Sequence, residues 1–220
     1  WHFFETQLQY PITNINSENF NDVDLHQYDV LVVPSGFYGS VFNEETLDDL
    51  KKWVRSGGTL IALGNALQSF ESQEGFSLKL KKEDDPEKDD NLIPYAERER
   101  KSIADLITGS IFKAIIDNTH PLGFGYQNSY FSLKLSGTSY DYLDEGVNVG
   151  YFDENTKNVS GYAGSKAVQN VPKSLFLGEE SMGKGSIVYM VDNPLFRSFW
   201  ENGKLFMANA VFFLNSNTLE

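Results

Sequence analysis

The clearest pattern in the chain is an apolar run, a helical segment and a second apolar run between residues 30 and 63. Val30 to Val33 ends at Pro34-Ser35-Gly36, and Leu60 to Leu63 begins just after a pair of glycines. Short apolar runs bounded by turn residues are typical of buried strands in a parallel sheet. The order strand, helix, strand therefore predicts an α/β fold.

The segment between these runs has the signals of an amphipathic helix. Asn43 is a good N-cap, and Phe42 and Leu47 have the spacing of a hydrophobic staple. Leu47, Leu50 and Val54 form one apolar stripe, and glycine follows the last turn. We expect this helix to connect the two strands and to pack on the sheet.

The beginning and the second half of the chain carry further elements. Trp1, Phe4 and Leu8 share one helical face and predict a helix that ends before Pro11, and residues 12–16, "ITNIN", predict a short strand or extended segment. Five later runs have strand character: "SIFKAIID", "YFSLKL", "VNVGYF", "SLFLGE" and "SIVYMVD". The segment "EESMGKGS" predicts a hairpin turn, and "NGKLFMANAVFFL" predicts a closing helix.

These elements predict a single three-layer α/β/α domain over residues 1–220, with a mainly parallel sheet and extra strands in its second half. Residues 75–101 interrupt the pattern as a charged insertion or loop, and "YAERERKSIADLI" at its end predicts a helix. Six acidic residues fall between Glu83 and Asp90. Because like charges repel, we expect Glu83 to Asn91 to form a mobile, solvated loop.

The charge and cysteine content exclude several functions. The net charge of −13, from 31 acidic and 18 basic residues, disfavours a nucleic-acid partner. The chain has no cysteine, which excludes disulfides, thiolate metal sites and a cysteine nucleophile. No apolar run approaches the roughly 20 residues of a membrane span, so we predict none.

Histidine and carboxylate residues raise the question of a metal site. His2 and Glu5 match the H-x-x-E spacing of a zinc-ligand pair, with His120 far downstream. Two residue types over four positions recur by chance, and Phe3 and Phe4 fit an ordinary buried helix. We therefore predict no metal ligands in this chain.

Polar residues near two predicted strand ends are candidates for chemistry. His120, in "DNTHPLGFGY", either bonds the backbone of its own turn or acts as a general base. Asp192 and Arg197 follow the last strand. The arginine either clamps a carboxylate of a ligand or pairs with Asp192 to fix the turn.

The sequence "LVVPSG", a helix and then "GGTLIALGNA" resembles class I glutamine-amidotransferase-like domains, a flavodoxin-like group that includes trehalose-utilisation-like proteins. In those families the turn after the second strand holds a cysteine nucleophile paired with a later histidine. Gly64 stands at that position, followed by Asn65. The resemblance implies the scaffold of the enzyme without its nucleophile, with Gly64 at the carboxyl end of a central parallel strand.

A longer resemblance covers most of the chain. "WHFFE", "YDVLVVPSG", "THPLGFGY" and the final "GKGSIVYMVDNPLFRSFWENGKLFMANAVFF" look like the C-terminal amidotransferase-like region of bacterial zinc carboxypeptidases of the M14 type. That family places zinc in an upstream peptidase domain, which implies no cofactor in this chain, an attached peptidase domain as partner, and a periplasmic or secreted location. The family's region starts with a strand before "WHFFE", so we expect an excised fragment that lacks its first strand.

Together these features predict a non-catalytic accessory domain that packs on or positions an attached peptidase domain. Two alternatives stay open. One is a divergent hydrolase that uses Ser35 near His120, although Ser35 lacks the G-x-S-x-G pattern of a nucleophile elbow. The other is a peptide- or sugar-binding module with its pocket at the strand ends near Gly36, Gly64 and Asp192.

Overall fold

The computed structural model describes residues 1–82 and 94–214, and the predicted acidic loop from Glu83 to Asn91 lies outside them. The described part is a mixed α/β domain built on one sheet with the strand order β1-β2-β8-β7-β5-β3-β4, and β6 pairs with β3. The strands are β1 Val30–Val33, β2 Thr59–Leu63, β3 Ile107–Ile116, β4 Ser129–Lys134, β5 Val147–Phe152, β6 Asn158–Ala163, β7 Ser174–Met182 and β8 Gly185–Met190.

Four α-helices, one π-helix and several short 3-10 helices accompany the sheet in the described residues. The α-helices are α1 Glu44–Ser56, α2 Tyr95–Ala104, α3 Ala167–Asn170 and α4 Lys204–Phe212, and the π-helix is Phe3–Leu8. The 3-10 helices are Ser17–Asp22, Leu25–Gln27, Gly64–Ser69, Pro121–Gly123, Phe196–Ser198 and Glu201–Gly203. Within residues 1–82 and 94–214, none of the helices has the length and apolar character needed to cross a bilayer.

The sheet is mixed, so the prediction of a mainly parallel sheet is wrong. β1, β2 and β8 are parallel neighbours, whereas all pairings among β3 to β8 are antiparallel. Helix α1 provides the crossover that a parallel β1–β2 pair needs. β7 and β8 are joined at Met182 and Gly185 by a two-residue turn, which can only reverse the chain. The predicted hairpin is confirmed there.

The sheet separates two apolar cores. Along β2, Ile61 and Leu63 belong to one core, and Leu60 and Ala62 belong to the other. The π-helix and α4 contribute to the first core, and α1 contributes to the second. β2 is buried along its whole length, because both of its faces are covered and it has a strand on each side.

Helix α1 agrees with its sequence signals. The Asn43 side chain accepts a hydrogen bond from the Thr46 amide at 3.0 Å and caps the helix. Leu47, Leu50 and Val54 are buried as predicted. The backbone after the last turn passes through Gly57 at φ 128°, a conformation that favours glycine. This helix therefore fixes the position at which β2 starts.

The N-terminal segment is helical, and the expected burial of Phe3 and Phe4 is confirmed, but the other two residues of the predicted apolar face, Trp1 and Leu8, are not buried. Phe3 and Phe4 are buried, whereas Trp1 and Leu8 are exposed. The reason is that a π-helix bonds residues five apart, so the spacing of an α-helix does not define its inner face. Residues 12–16, predicted as a short strand or extended segment, form no strand with any described residue.

The remaining elements follow the sequence with some exceptions. Helix α2 forms, although it buries none of its side chains. Helix α4 is apolar all round as predicted, yet Leu205, Phe212 and the following Phe213 are each about two-fifths exposed or more. β6 was missed because "NVSGYA" is exposed and lacks the apolar alternation that marks a strand.

Candidate functional site

The carboxyl ends of the three parallel strands bring several predicted residues to one edge of the sheet. Val33 of β1 lies opposite Ala62 of β2, and Leu63 lies opposite Met190 of β8. Ser35, Gly64 and Asp192 therefore follow at the same edge, where ligands bind in open α/β folds. Gly64 follows a central parallel strand and opens the 3-10 helix Gly64–Ser69, as predicted.

The backbone at Gly64 has the left-handed conformation of a strained turn. Its φ is +54°, and a Cβ atom added there would lie 2.7 Å from Ser35 Oγ and 3.1 Å from Ser35 Cβ. Contacts under 3.0 Å are essentially never observed for a real Cβ atom. A nucleophilic side chain at this position would therefore have to displace Ser35.

Ser35 occupies the space beside this turn and is tied to it. Its hydroxyl accepts a hydrogen bond from the Asn65 amide at 3.2 Å. In a nucleophile elbow, the amide of the residue after the nucleophile helps to bind the oxyanion. Here the Ser35 hydroxyl accepts that amide, and Gly64 offers no side chain, so this turn has neither a nucleophile nor a free amide beside it.

The loop after β1 is closed by a tyrosine. The Tyr38 hydroxyl donates to the Pro34 carbonyl at 3.0 Å, and burial raises the pKa of Tyr38. Gly36 packs under the same ring, because a Cβ atom there would lie 3.0 Å from the Tyr38 side chain. Gly36 thus serves the close packing of the loop.

Asp192 lies in a buried polar cluster instead of an open pocket. Its two oxygens accept hydrogen bonds from Ser132 Oγ at 2.6 Å and from Lys134 Nζ at 3.3 Å. The Lys134 side chain is 1% exposed, donates also to the Thr138 carbonyl at 3.3 Å, and lies 5.6 Å from the ring centre of Phe152. This cluster ties β4 to the end of β8.

Arg197 does not pair with Asp192, so that interpretation of it is wrong, whereas its role as a clamp for a ligand carboxylate stays a prediction. The residue is exposed, its φ is 48°, and its guanidinium lies 5.2 Å from the ring centre of Phe196. Lys134 is the partner of Asp192. The signal for that partner was present in "YFSLKL", where alternation places Tyr130, Ser132 and Lys134 on one face of β4.

His120 caps its own turn, as the first of its two interpretations states. Its Nδ1 accepts a hydrogen bond from the Leu122 amide at 3.3 Å at the start of the helix Pro121–Gly123. Burial lowers the pKa of His120, and the carboxylates of Glu179 and Asp117 oppose this effect only in part. A neutral imidazole is the form that accepts this hydrogen bond.

The fold does not bring His120 to Ser35. β3 runs opposite to β1, β2 and β8, so the chain leaves it toward the edge at which those strands begin. The turn there is fixed by Asp117, which accepts from the Thr119 hydroxyl at 2.6 Å. The Thr119 amide donates to the same carboxylate, and the two hydrogen bonds lower the pKa of Asp117.

A groove of about 730 Å³ follows the outer edge of β1. It is lined by the π-helix, residues 10–17, β1 itself and the end of α4, and its lining includes none of Gly36, Gly64 and Asp192. Among the described residues, Asp29 is the one charged side chain that lines it. The strand-end site and this groove are separate places.

The described residues contain no group of three or more histidine or acidic side chains that could hold a metal ion. His2, which precedes the π-helix, and Glu5, which lies on it, are both exposed. The geometry therefore offers neither an assembled nucleophile nor a ligand set among the residues that sequence analysis selected.

No family model and no curated protein matches the sequence. Among solved structures, a ThuA-like protein from Bacteroides uniformis is 11% identical with a TM-score of 0.51, covering 94% of this chain and 80% of that one. A GMP synthase component from Thermoplasma acidophilum is 12% identical with a TM-score of 0.48, covering 90% and 75%. A β-galactosidase from Bacillus circulans sp. alkalophilus is 11% identical with a TM-score of 0.47, covering 86%.

The chain spans 23% of the length of that β-galactosidase. The similarity to the ThuA-like protein concerns the fold alone, and it agrees with the mixed α/β architecture described above.

Proposed function

We propose that the chain is a non-catalytic domain of the class I amidotransferase-like type, three-layered around its sheet, which packs on or positions an attached catalytic domain. The observation that carries this proposal is the turn at Gly64. The position of the nucleophile has no side chain, and Ser35 Oγ stands 2.7 Å from where a Cβ atom would be. Because Ser35 also takes the Asn65 amide, the turn has lost both the nucleophile and the oxyanion donor.

The hydrolase alternative lacks an assembled pair. A serine nucleophile needs a base within hydrogen-bonding reach, and His120 uses its Nδ1 in its own turn beyond β3. The alternative of a peptide or sugar pocket at the strand ends is also disfavoured. Both oxygens of Asp192 are engaged by Ser132 and Lys134, and Asp192 is buried.

The nature of the attached domain follows from the sequence resemblance. An M14-type zinc peptidase domain is the partner that the resemblance names, and zinc then belongs to that domain. A periplasmic or secreted location is part of the same proposal. The exposed aromatic side chains at the end of α4, Phe212 and Phe213, support a packing surface, because exposed apolar patches mark contacts with other proteins or domains.

The absence of catalysis is tested by turnover assays on the 220-residue chain. We would measure hydrolysis of glutamine, of 4-nitrophenyl acetate and of the C-terminal residue of short peptides, with and without zinc. Rates at the buffer background, unchanged in Ser35→Ala and His120→Ala, are expected. Turnover that either substitution abolishes would contradict the proposal, and Gly39→Ala, at a site with open space around it, serves as the control.

The attachment is tested by the coding sequence upstream of Trp1. A zinc peptidase domain in the same reading frame is the expected finding. An unrelated upstream domain would remove the peptidase from the proposal and leave the conclusion about Gly64 intact.

A further inference from the structure

The loop after the 3-10 helix Gly64–Ser69 holds a carboxyl group against an apolar core. Residues 70–78, called the 70–78 loop below, give the core beneath α1 three buried side chains, Phe70, Phe76 and Leu78. Glu71 belongs to the same loop, and its Oε2 atom is buried. Because an apolar environment disfavours charge, a carboxyl group in this place is more costly ionised than protonated.

The closest polar neighbour of this carboxyl group is a buried tyrosine. The Tyr140 side chain is 2% exposed. Burial raises the pKa of Glu71, and the adjacent Tyr140 hydroxyl lowers it in part. Within residues 1–82 and 94–214, neither Glu71 Oε2 nor the Tyr140 hydroxyl makes a hydrogen bond of good geometry. Buried polar atoms in this condition are uncommon and require a physical explanation.

The cations that α1 presents to the loop are directed at other groups. Lys51 Nζ lies 2.6 Å from an oxygen of Asp48 and donates to the Glu74 carbonyl at 3.3 Å. The Arg55 guanidinium lies beside Gly75. The pKa of Glu71 responds to burial and to Tyr140. Neither cation therefore compensates an ionised Glu71.

The charged groups on the other neighbouring elements are also engaged. On β7, Glu180 accepts hydrogen bonds from the Ser77 amide at 2.9 Å and from the Tyr189 hydroxyl at 2.7 Å. Beyond Tyr140, Asp144 pairs with Lys79 at 2.6 Å on the surface. These contacts hold the far end of the 70–78 loop in place and leave the ionisation of Glu71 to its burial.

The backbone next to Glu71 couples its side chain to the closure of the loop. The Ser72 amide donates to the Leu78 carbonyl at 2.9 Å and joins the two ends of the loop. Ser72 has φ 56°, in the left-handed region that a residue with a side chain adopts only at a cost. Because Ser72 follows Glu71 directly, movement of Glu71 into solvent would break this hydrogen bond and release the strained backbone.

We propose that Glu71 is a proton-controlled latch for the 70–78 loop. The protonated carboxyl group stays beside Tyr140 and keeps the loop closed on the core. The ionised carboxylate moves into water, and the loop opens. This inference is independent of the proposed function, because neither Ser35 nor Gly64 takes part in the latch.

The direction of the pH dependence follows from the burial of Glu71. In the closed loop its pKa lies above the usual 4.5, whereas in the open loop the carboxyl group is in water and has the usual value. The latch therefore acts fully below the usual pKa and is lost as the pH rises through the closed-state pKa. Between these two pKa values the opening constant should rise about tenfold for each pH unit, and above the higher one it should level off.

The first measurement is amide hydrogen exchange at Ser72 in the 220-residue chain, from about pH 4 to about pH 8, converted to an opening constant. Wild type should show the rise and the plateau. Glu71→Gln keeps the shape of the side chain but cannot ionise, so its opening constant should stay at the low-pH value throughout. Glu74→Gln, at an exposed position of the same loop, is the matched control and should keep the wild-type profile. The Leu50 amide inside α1 reports global unfolding and should not follow this profile.

The second measurement is a carbon-13 NMR titration of the Glu71 carboxyl group. In the folded chain it should titrate above its usual 4.5. Tyr140→Phe removes the hydroxyl that lowers the pKa of Glu71 in part, so the titration midpoint and the plateau of Ser72 exchange should both move to higher pH. If Tyr140 had only a packing role, its substitution would change the opening constant at every pH without moving the midpoint.

Three results would overturn the proposal. The first is a Glu71 carboxyl group that titrates at or below 4.5 in the folded chain. The second is a Ser72 opening constant that does not change with pH in wild type, and the third is a Glu71→Gln variant that keeps the wild-type profile. If circular dichroism shows that Glu71→Gln does not fold, the titration and the exchange profile of wild type and Tyr140→Phe decide.

Discussion

Substitution of Gly64 by alanine is the perturbation that the turn geometry makes most informative. Two costs follow from the structure. Alanine in the left-handed region, at φ +54°, costs about 1 kcal/mol relative to glycine. The new Cβ atom would also lie 2.7 Å from Ser35 Oγ, so the hydroxyl must move and its bond from the Asn65 amide is lost, at about 1 kcal/mol more. We expect Gly64→Ala to lower the free energy of unfolding by about 2 kcal/mol.

A double-mutant cycle separates the two costs. In a Ser35→Gly background the obstructing side chain is absent, so Gly64→Ala should cost only the backbone component of about 1 kcal/mol. The assay is urea unfolding followed by circular dichroism, with Gly39→Ala as a control expected to stay within about 0.5 kcal/mol of wild type. An equal cost in both backgrounds would refute the proposed contact between Ser35 and the Gly64 position. A neutral Gly64→Ala would refute the strained turn itself.

Three further substitutions test other parts of the structure. Lys134→Met leaves the buried Asp192 without its cation. The free energy of unfolding, measured in urea, should fall by about 3–5 kcal/mol. A loss below about 1 kcal/mol would mean that the pair is not buried as described. Burial lowers the folded-state pKa of His120 below its usual 6.5, so the unfolded state binds the proton more readily, and stability should be lost as pH falls below about 6.5. His120→Gln should remove that part of the pH dependence between about pH 7 and pH 5, and an unchanged profile would refute it. Asn43→Ala removes the cap of α1 and should lower the melting midpoint by the equivalent of about 1 kcal/mol, whereas an unchanged midpoint would argue against the cap.

The parts of the fold that sequence predicted well are those with local causes. The cap at Asn43, the buried stripe through Leu50 and the glycine after the last turn all act within α1, and the structure confirms each of them. The β1 and β2 boundaries agree for the same reason, since an apolar run closed by turn residues needs no distant information. The parallel or antiparallel direction of later strands depends on which strands become neighbours, and no local pattern states that.

In the candidate site too, the sequence predicted the feature with a local cause and missed the contacts between distant residues. The place of Gly64 follows from the strand and turn on either side of it, and the prediction was right. The contact of Ser35 with the Asn65 amide joins residues 30 positions apart and was not predicted. The pairing of Asp192 with Lys134 spans 58 positions and depends on β4 curling toward the end of β8. A lysine on the inward face of an apolar strand was the available hint, because a buried cation requires a buried partner.

The vacated nucleophile position is tested most directly by covalent trapping at Ser35. The folded chain would be incubated with a fluorophosphonate and with 4-nitrophenyl acetate, and its intact mass would be measured before and after. Because the Ser35 hydroxyl accepts the Asn65 amide and has no histidine beside it, the account predicts an unchanged mass with both reagents. A stoichiometric adduct on Ser35 that forms in the folded chain and disappears on denaturation would contradict it.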